Sequence, residues 1–227
     1  MTPWSVKFVA DAGDPRAPGL TLGKAFAIFS RQPTAHSLAF GIVVLAGLRV
    51  HVGGFSWWDL AVLAGLVAIE PFSEWLIHVN LLHFRPRRVL GLEIDLHMAK
   101  AHRMHHQAPH DPHWWFIPKL SGVIGFVVLA VGAWLLAPTI GLAITAVVGT
   151  LCAGLTYEWI HYLCHSSYRA KGRWYKAIWK HHRLHHFKNE HYWMGVTMHL
   201  GDRVLGTMKD VKEVETSPTC RNLLDKD

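Results

Sequence analysis

Apolar residues gather into four runs of near membrane-crossing length, separated by two tight turns and by polar, histidine-rich stretches. The first run covers residues 35–52 and closes on the turn Gly53-Gly54; the second covers residues 57–82. The third, residues 120–137, passes through Pro138 into the fourth, residues 140–164, and so short a connection admits only a tight turn. The pattern predicts two helical hairpins, each followed by a histidine-rich segment. The fold class expected is all-α: an integral membrane four-helix bundle with a cytoplasmic histidine-rich helical cap.

Two runs depart from a plain lipid-facing helix. The first is short and carries Arg49 near its end, where the side chain is expected to snorkel to the interface. The second contains Pro71, a kink signal, and then Glu70, Glu74 and His78, which must face inward because ionisable groups at that depth are costly. Outside the bundle, residues 1–34 read as a polar arm with an amphipathic segment at 20–30, whose Phe26, Ile28 and Phe29 suit either the bilayer surface or a capping helix. Residues 35–208 form the membrane-embedded unit, and residues 209–227 a polar tail.

Composition agrees with the membrane reading: 51% of residues are hydrophobic, 17% are charged, and eleven Trp suit interfacial belts. A net charge of +7 raises a nucleic-acid partner, but the basic residues flank the apolar runs, which excludes that class. Four lie in residues 1–32, six in 82–119, seven in 166–199 and five in the tail, leaving Arg49 alone for the opposite side. That asymmetry places the histidine segments and both termini in the cytoplasm. The first 37 residues, with Asp11, Asp14 and three prolines ahead of Gly19, hold no sufficient signal-peptide core, so entry by the internal helices is expected. Cys152, Cys164 and Cys220 form no CxxC and no paired framework. Cys164 lies beside His165, where a thiolate ligand and a small core residue are the two readings.

The chemistry concentrates in His102-Arg103-Met104-His105-His106 and its near copy His182-Arg183-Leu184-His185-His186. Positions i, i+3 and i+4 share a helix face, so each copy projects three imidazoles from one stripe. Imidazole suits iron, zinc, copper and nickel, and six histidines exceed the needs of one ion, so two metals are the economical reading. A single histidine of this kind reads more readily as a satisfied core residue or part of a solvated polar loop; a repeated triad does not. The halves also rhyme: Glu74-Trp75-Leu76-Ile77-His78 is answered by Glu158-Trp159-Ile160-His161, and the triads stand 80 residues apart. Each half is thereby expected to supply about half the site. His161 and His165 are i, i+4, whereas His78 and His83 are i, i+5, so the helix must end, bulge or unwind between them if both are ligands.

Ten imidazoles in four clusters, His-x4-His, His-x2-His-His, His-x3-His and His-x2-His-His, resemble the histidine boxes of the fatty acid hydroxylase and sterol desaturase superfamily. The resemblance spans roughly residues 70–208 and includes Gly195-Val196-Thr197 and Gly201-Asp202-Arg203-Val204-Leu205-Gly206-Thr207, similar to the family's terminal motif. The five-residue step from His78 to His83 is nearest the fatty acid 2-hydroxylase branch. The resemblance implies a membrane enzyme whose histidines hold two iron ions, with zinc as a possible substitute, and which uses dioxygen to hydroxylate a lipid acyl chain. It implies as ligands His78, His83, His102, His105, His106, His161, His165, His182, His185 and His186. Glu74, Glu158, Asp95 and Asp202 are candidates to accept the second N–H of a ligand imidazole. His97, His110, His113, His181, His191 and His199 lie near the boxes with supporting or interfacial roles, and His36 and His51 lie outside them. The chain has no fused heme motif, so a separate electron donor, a ferredoxin or cytochrome with its reductase, is inferred.

The boxes serve a sterol, carotenoid or other isoprenoid substrate, and desaturation, equally well. A metal transporter or metal-binding membrane protein is the reading from another class, but it calls for ligands across the membrane midplane rather than at one end. A heme-binding bundle needs only paired axial histidines and leaves the triads unexplained.

Overall fold

A computed structural model describes residues 8–224. Eight α-helices are present among them: α1 (Leu22–Phe29), α2 (Pro33–Val52), α3 (Trp57–Ile77), α4 (His97–Gln107), α5 (Lys119–Leu136), α6 (Ile140–His165), α7 (Arg173–Phe187) and α8 (Leu200–Val204). Helices α2, α3 with its extension, α5 and α6 are long and apolar enough to cross a membrane. They form the two expected hairpins of a helical membrane bundle, while α4 and α7 carry the histidine triads of the cap.

Local chemistry sets the hairpin turns. Pro33 opens α2, where its missing N–H costs nothing, and Gly53 ends it at φ +66°, a left-handed conformation that suits glycine. Ser56 and Asp59 then close a capping box on α3, and the Thr139 hydroxyl caps α6 by accepting from Leu142 N–H.

Helix α6 is the hub, packed against α2, α3 and α5. Its approach to α3 is close because Gly149 has no side chain: a Cβ there would lie 2.7 Å from Leu66 Cδ1 and 2.9 Å from Leu63 Cδ2. The outer faces of α2, α3 and α5 expose Phe40, Val67 and Val128, as lipid-facing surfaces do.

Arg49 does not snorkel. It turns into the bundle, 4% exposed, and its guanidinium meets the Asp59 carboxylate at 2.7 Å and the Thr145 hydroxyl at 2.9 Å. A buried charge is tolerable when it is paired and hydrogen-bonded, and Asp59 on the neighbouring helix meets that need. Space for it comes from Gly141, where a Cβ would stand 3.3 Å from Arg49 Cζ.

Helix α1 caps the bundle. Ile28 and Phe29 are buried, and Phe29 packs edge-on against Trp159 and beside Tyr162 of α6, while Phe26 stays exposed. One feature outside the all-helical expectation is a small antiparallel hairpin, β1 (Arg87–Val89) with β2 (Leu92–Ile94), turned by Leu90 and Gly91 at positive φ. It bridges α3 to α4.

Candidate metal centre

The end of α3 shows how local backbone places a side chain. Beyond Ile77 the helix widens into a single π-turn, His78–Leu82, and His83 N–H donates to the His78 carbonyl at 3.0 Å. An i→i+5 turn brings residues five apart onto one face, which an ordinary α-helix does not. The two rings stand 4.9 Å apart, centre to centre.

Ten histidines converge into two groups of five. His78, His83, His102, His106 and His185 form one; His105, His161, His165, His182 and His186 form the other. Within each group the ligand nitrogens lie within 4.8 Å of one another. Each half of the chain supplies five of the ten histidines, four to one group and one to the other. Each triad is split two and one, because α4 lies between the groups and sends His102 and His106 to one side and His105 to the other. Helix α7 does the reverse, giving His182 and His186 to the second group and His185 to the first.

The spacing fits metal ligation. Nitrogens each about 2.1 Å from a shared ion stand roughly 3.0–3.4 Å apart. His78 and His102 meet through Nε2 at 3.2 Å, His102 and His106 at 3.1 Å, His106 and His185 at 3.2 Å. In the second group His105 and His161 stand at 3.1 Å and His182 and His186 at 3.2 Å, with His165 and His182 closer at 2.7 Å.

Tautomers strengthen the case. His106 Nδ1 donates to the Cys220 carbonyl at 2.9 Å, and His185 Nδ1 to the Tyr192 carbonyl at 3.0 Å. Both neutral rings then present bare Nε2 lone pairs to each other, and two acceptors cannot hydrogen-bond. A cation between them resolves the conflict. His78 donates likewise to Met194 O at 2.6 Å, His161 to Trp115 O at 2.8 Å and His165 to Pro109 O at 3.0 Å.

Electrostatics keeps the rings in the ligating form. Burial first, and neighbouring imidazoles second, hold His83, His102, His105, His182 and His186 well below the ordinary histidine range. Burial takes His106 down to about 3, against the partial support of its Cys220 hydrogen bond.

Three of the four candidate carboxylates act one step further out than expected. The hydrogen bonds of Glu74, Glu158 and Asp202 hold the backbone that supplies the carbonyls, rather than the imidazoles themselves. Glu74 accepts from the N–H groups of Val196 and Thr197 and from the Thr197 hydroxyl. Asp202 accepts from Met194 N–H and Gly195 N–H, each at 2.8 Å, and from the Thr207 hydroxyl at 2.6 Å. Glu158 accepts from Ile117 N–H at 2.7 Å. Asp95 instead pairs with Arg103 at 2.6 Å, fixing the start of α4. The physical reason is reach: a carbonyl can approach a buried ring edge without bringing a second charge, and Glu74, Glu158 and Asp202 each accept from backbone N–H groups instead.

The terminal motif acquires a role from this arrangement. Gly201 rests on the Pro71 carbonyl with no space for a side chain, and Thr207 accepts from the Trp75 indole N–H at 2.8 Å. The segment after α7 is thereby clamped to α3.

The remaining histidines lie outside both groups. His97 bonds Ser121, His113 bonds Asp111, and His181 pairs with His199. Cys164 sits in an apolar cluster with Ile160, Ile178 and Val196, the core alternative of its two readings. Sequence reasoning missed Cys220, Pro109, Trp115, Tyr192 and Met194, because each contributes a main-chain carbonyl and no side-chain identity signals that. Arg221 was missed too; it donates to the His106 and Gln107 carbonyls at 2.9 and 2.8 Å, closing the tail over α4.

An apolar cavity of about 250 Å3 runs between α3 and α6 to the histidines. It touches His78 and His102 of the first group and His105 and His161 of the second. Thr150, Ala153 and Gly154 form its α6 wall, and Trp114, Trp115 and Phe116 line it as well.

Known proteins are similar to this chain. Fatty acid 2-hydroxylase of Homo sapiens is 29% identical over 144 residues, covering 61% of this chain and 37% of that protein. Its Mus musculus counterpart is 30% identical over 138 residues, covering 60% and 36%. The chain thus spans little more than a third of the length of these relatives. Among solved structures, full-length scs7p, with only its hydroxylase domain visible, superposes with a TM-score of 0.67 at 21% identity, over 81% of this chain and 68% of that one, and so shares the fold. A family profile described as "Fatty acid hydroxylase" matches residues 62–207, the stretch that holds all ten clustered histidines and the clamp behind them, and the chain belongs to that family.

Proposed function

We propose that this chain is the catalytic unit of a membrane oxygenase that hydroxylates a lipid acyl chain, using dioxygen and electrons from a separate donor. The carrying observation is the apolar cavity that reaches both histidine groups at once. An acyl chain can enter it from the bilayer and present one C–H bond between the two metal positions.

The ten histidines fit a pair of iron ions by nitrogen spacing, by bare Nε2 lone pairs and by enforced neutrality. Iron held there supplies the redox chemistry that reduces dioxygen. The chain's own residues orient and protect it. Carbonyls of Met194, Cys220, Tyr192, Trp115 and Pro109 aim the rings, and the Trp114 to Phe116 wall excludes water from the cavity. Basic residues crowd the histidine end of the bundle, which supports a cytoplasmic position for the site and both termini.

The test compares lipids, by mass spectrometry, from cells expressing the intact chain, a His105→Ala variant, or neither, with an electron donor co-expressed. Lipids heavier by one oxygen atom with the intact chain alone are expected. Loss of two hydrogens instead assigns desaturation, and no change with iron bound sinks the oxygenase reading.

A further inference from the structure

Two depressions approach the histidines, from different sides and with opposite chemistry. The apolar cavity comes between the membrane-crossing α3 and α6. The other, a groove of about 700 Å3, opens on the cap beyond the end of α6 and is lined by Arg16, Arg169, Lys176, Lys180 and Arg183. Its floor includes His165.

Helix periodicity explains the groove. On α7, Lys176, Lys180 and Arg183 are i, i+4 and i+7, one outward stripe, while His182, His185 and His186 fill the buried stripe. All five cations are exposed, and none of the groove's twelve lining residues is acidic. Asp14, nearby in sequence, turns its carboxylate to the Arg16 backbone N–H at 2.8 Å. Arg183 is held in place over the rings of Trp179 and Phe187, at 4.9 and 5.3 Å. Beneath these charges, His165 is the one member of the second histidine group that is not fully buried, and its Nε2 faces His182 inside the group.

We propose that this groove is the docking site of an acidic one-electron carrier protein, which delivers electrons through the His165 edge. The inference rests on the oxygenase reading. Hydroxylation places one oxygen atom of dioxygen in the new C–O–H and releases the other as water. That balance takes two electrons and two protons beyond those of the lipid C–H bond. Two carrier molecules are oxidised per hydroxyl formed, and the protons come from solvent. A water-soluble carrier must reach the metals from the cap, and the cationic stripe matches an acidic protein surface. A lipid headgroup is the less favoured occupant, because the groove lies on the cap and the acyl cavity opens elsewhere.

The test uses the iron-loaded full chain in phosphatidylcholine nanodiscs, with an acidic [2Fe–2S] ferredoxin or an acidic heme carrier kept reduced by its reductase. Oxidation of the carrier and hydroxylation of the lipid are followed together. A Lys176→Glu/Lys180→Glu double variant, with iron content confirmed, is expected to raise the KM for carrier about tenfold or more while retaining kcat at saturation. The unaltered chain should lose a similar factor in kcat/KM on moving from low to high salt. An unchanged KM in the double variant overturns the docking site while leaving the oxygenase reading standing. An effect of the variant confined to phosphatidylserine-containing nanodiscs overturns it in favour of a headgroup site. Absence of hydroxylated lipid from the unaltered chain, with either carrier or with dithionite, sinks the oxygenase reading and the docking site together.

Discussion

Glu158 accepts the backbone N–H of Ile117 at 2.7 Å, two residues beyond the Trp115 carbonyl that receives the Nδ1–H of His161. The other half repeats the relationship: Glu74 takes the N–H of Val196, two residues beyond the Met194 carbonyl that receives His78. In each case a glutamate and a histidine one turn apart on a membrane helix grip the same loop, and each loop comes from the opposite half of the chain. The helices and the loops therefore fix one another's position, and the imidazoles inherit that rigidity.

Glu158→Ala should free the Trp115 loop and loosen His161, lowering the metal affinity of the second histidine group by roughly 10–100-fold, as removal of supporting partners commonly does. Glu158→Gln keeps an acceptor oxygen and should retain most of it. Asp202→Ala, which releases Met194, should act on the first group instead. Metal analysis after graded chelation reads the result; equal loss from both groups in either variant counts against this division.

Because each triad is shared, box membership and metal position differ. His102→Ala and His185→Ala, from different triads, should weaken the same position, whereas His102→Ala and His105→Ala, from one triad, should weaken different ones. Spectroscopy of singly loaded iron protein distinguishes the two positions. Matching spectra for His102→Ala and His105→Ala would falsify the assignment.

Metal-free protein should be acid-sensitive. Burial lowers the His106 pKa from an unfolded value near 6.5 to about 3, and its neighbours shift in the same direction. The unfolded state therefore binds more protons below pH 6.5. Stability is fully present above that pH and is lost as pH falls toward 3. A thermal midpoint that declines steadily from pH 7 to pH 5 after chelation is expected, with metal-loaded protein resisting over the same range. A flat profile for the stripped protein speaks against neutral burial.

At the far end of the bundle, Arg49→Ala leaves the Asp59 carboxylate without its partner and should lower the thermal midpoint. The double variant Arg49→Leu/Asp59→Leu should recover most of that loss, since apolar residues fill the space without a charge. Thermal unfolding in detergent measures both; a double variant no better than the single one removes the ion pair as the cause.

Gly154 lines the apolar cavity, and a Cβ built there meets nothing within 4 Å. Gly154→Leu should fill the α6 side and shift product toward shorter acyl chains, with metal content unchanged. Product chain lengths by mass spectrometry decide it; an unaltered distribution places the chain elsewhere.

Sequence by itself determined the four crossings, the paired hairpins and the chemistry of the cap. Those features rest on periodicity and composition: apolar length, glycine and proline at turns, and imidazoles at helical spacing. It also set the condition that the helix change pitch between His78 and His83, which the π-turn meets. Tertiary structure alone decided how ten histidines divide into two groups. Three imidazoles on one stripe fan across about a third of a turn, and only the placement of α4 and α7 between two sites determines which ring goes to which. The same is true of Arg49, whose inward turn depends on Asp59 and Thr145 arriving from other helices. Main-chain carbonyls, which aim half of the histidines, carry no residue identity, so folding had to bring Met194, Cys220 and Trp115 to the rings before their part could be seen.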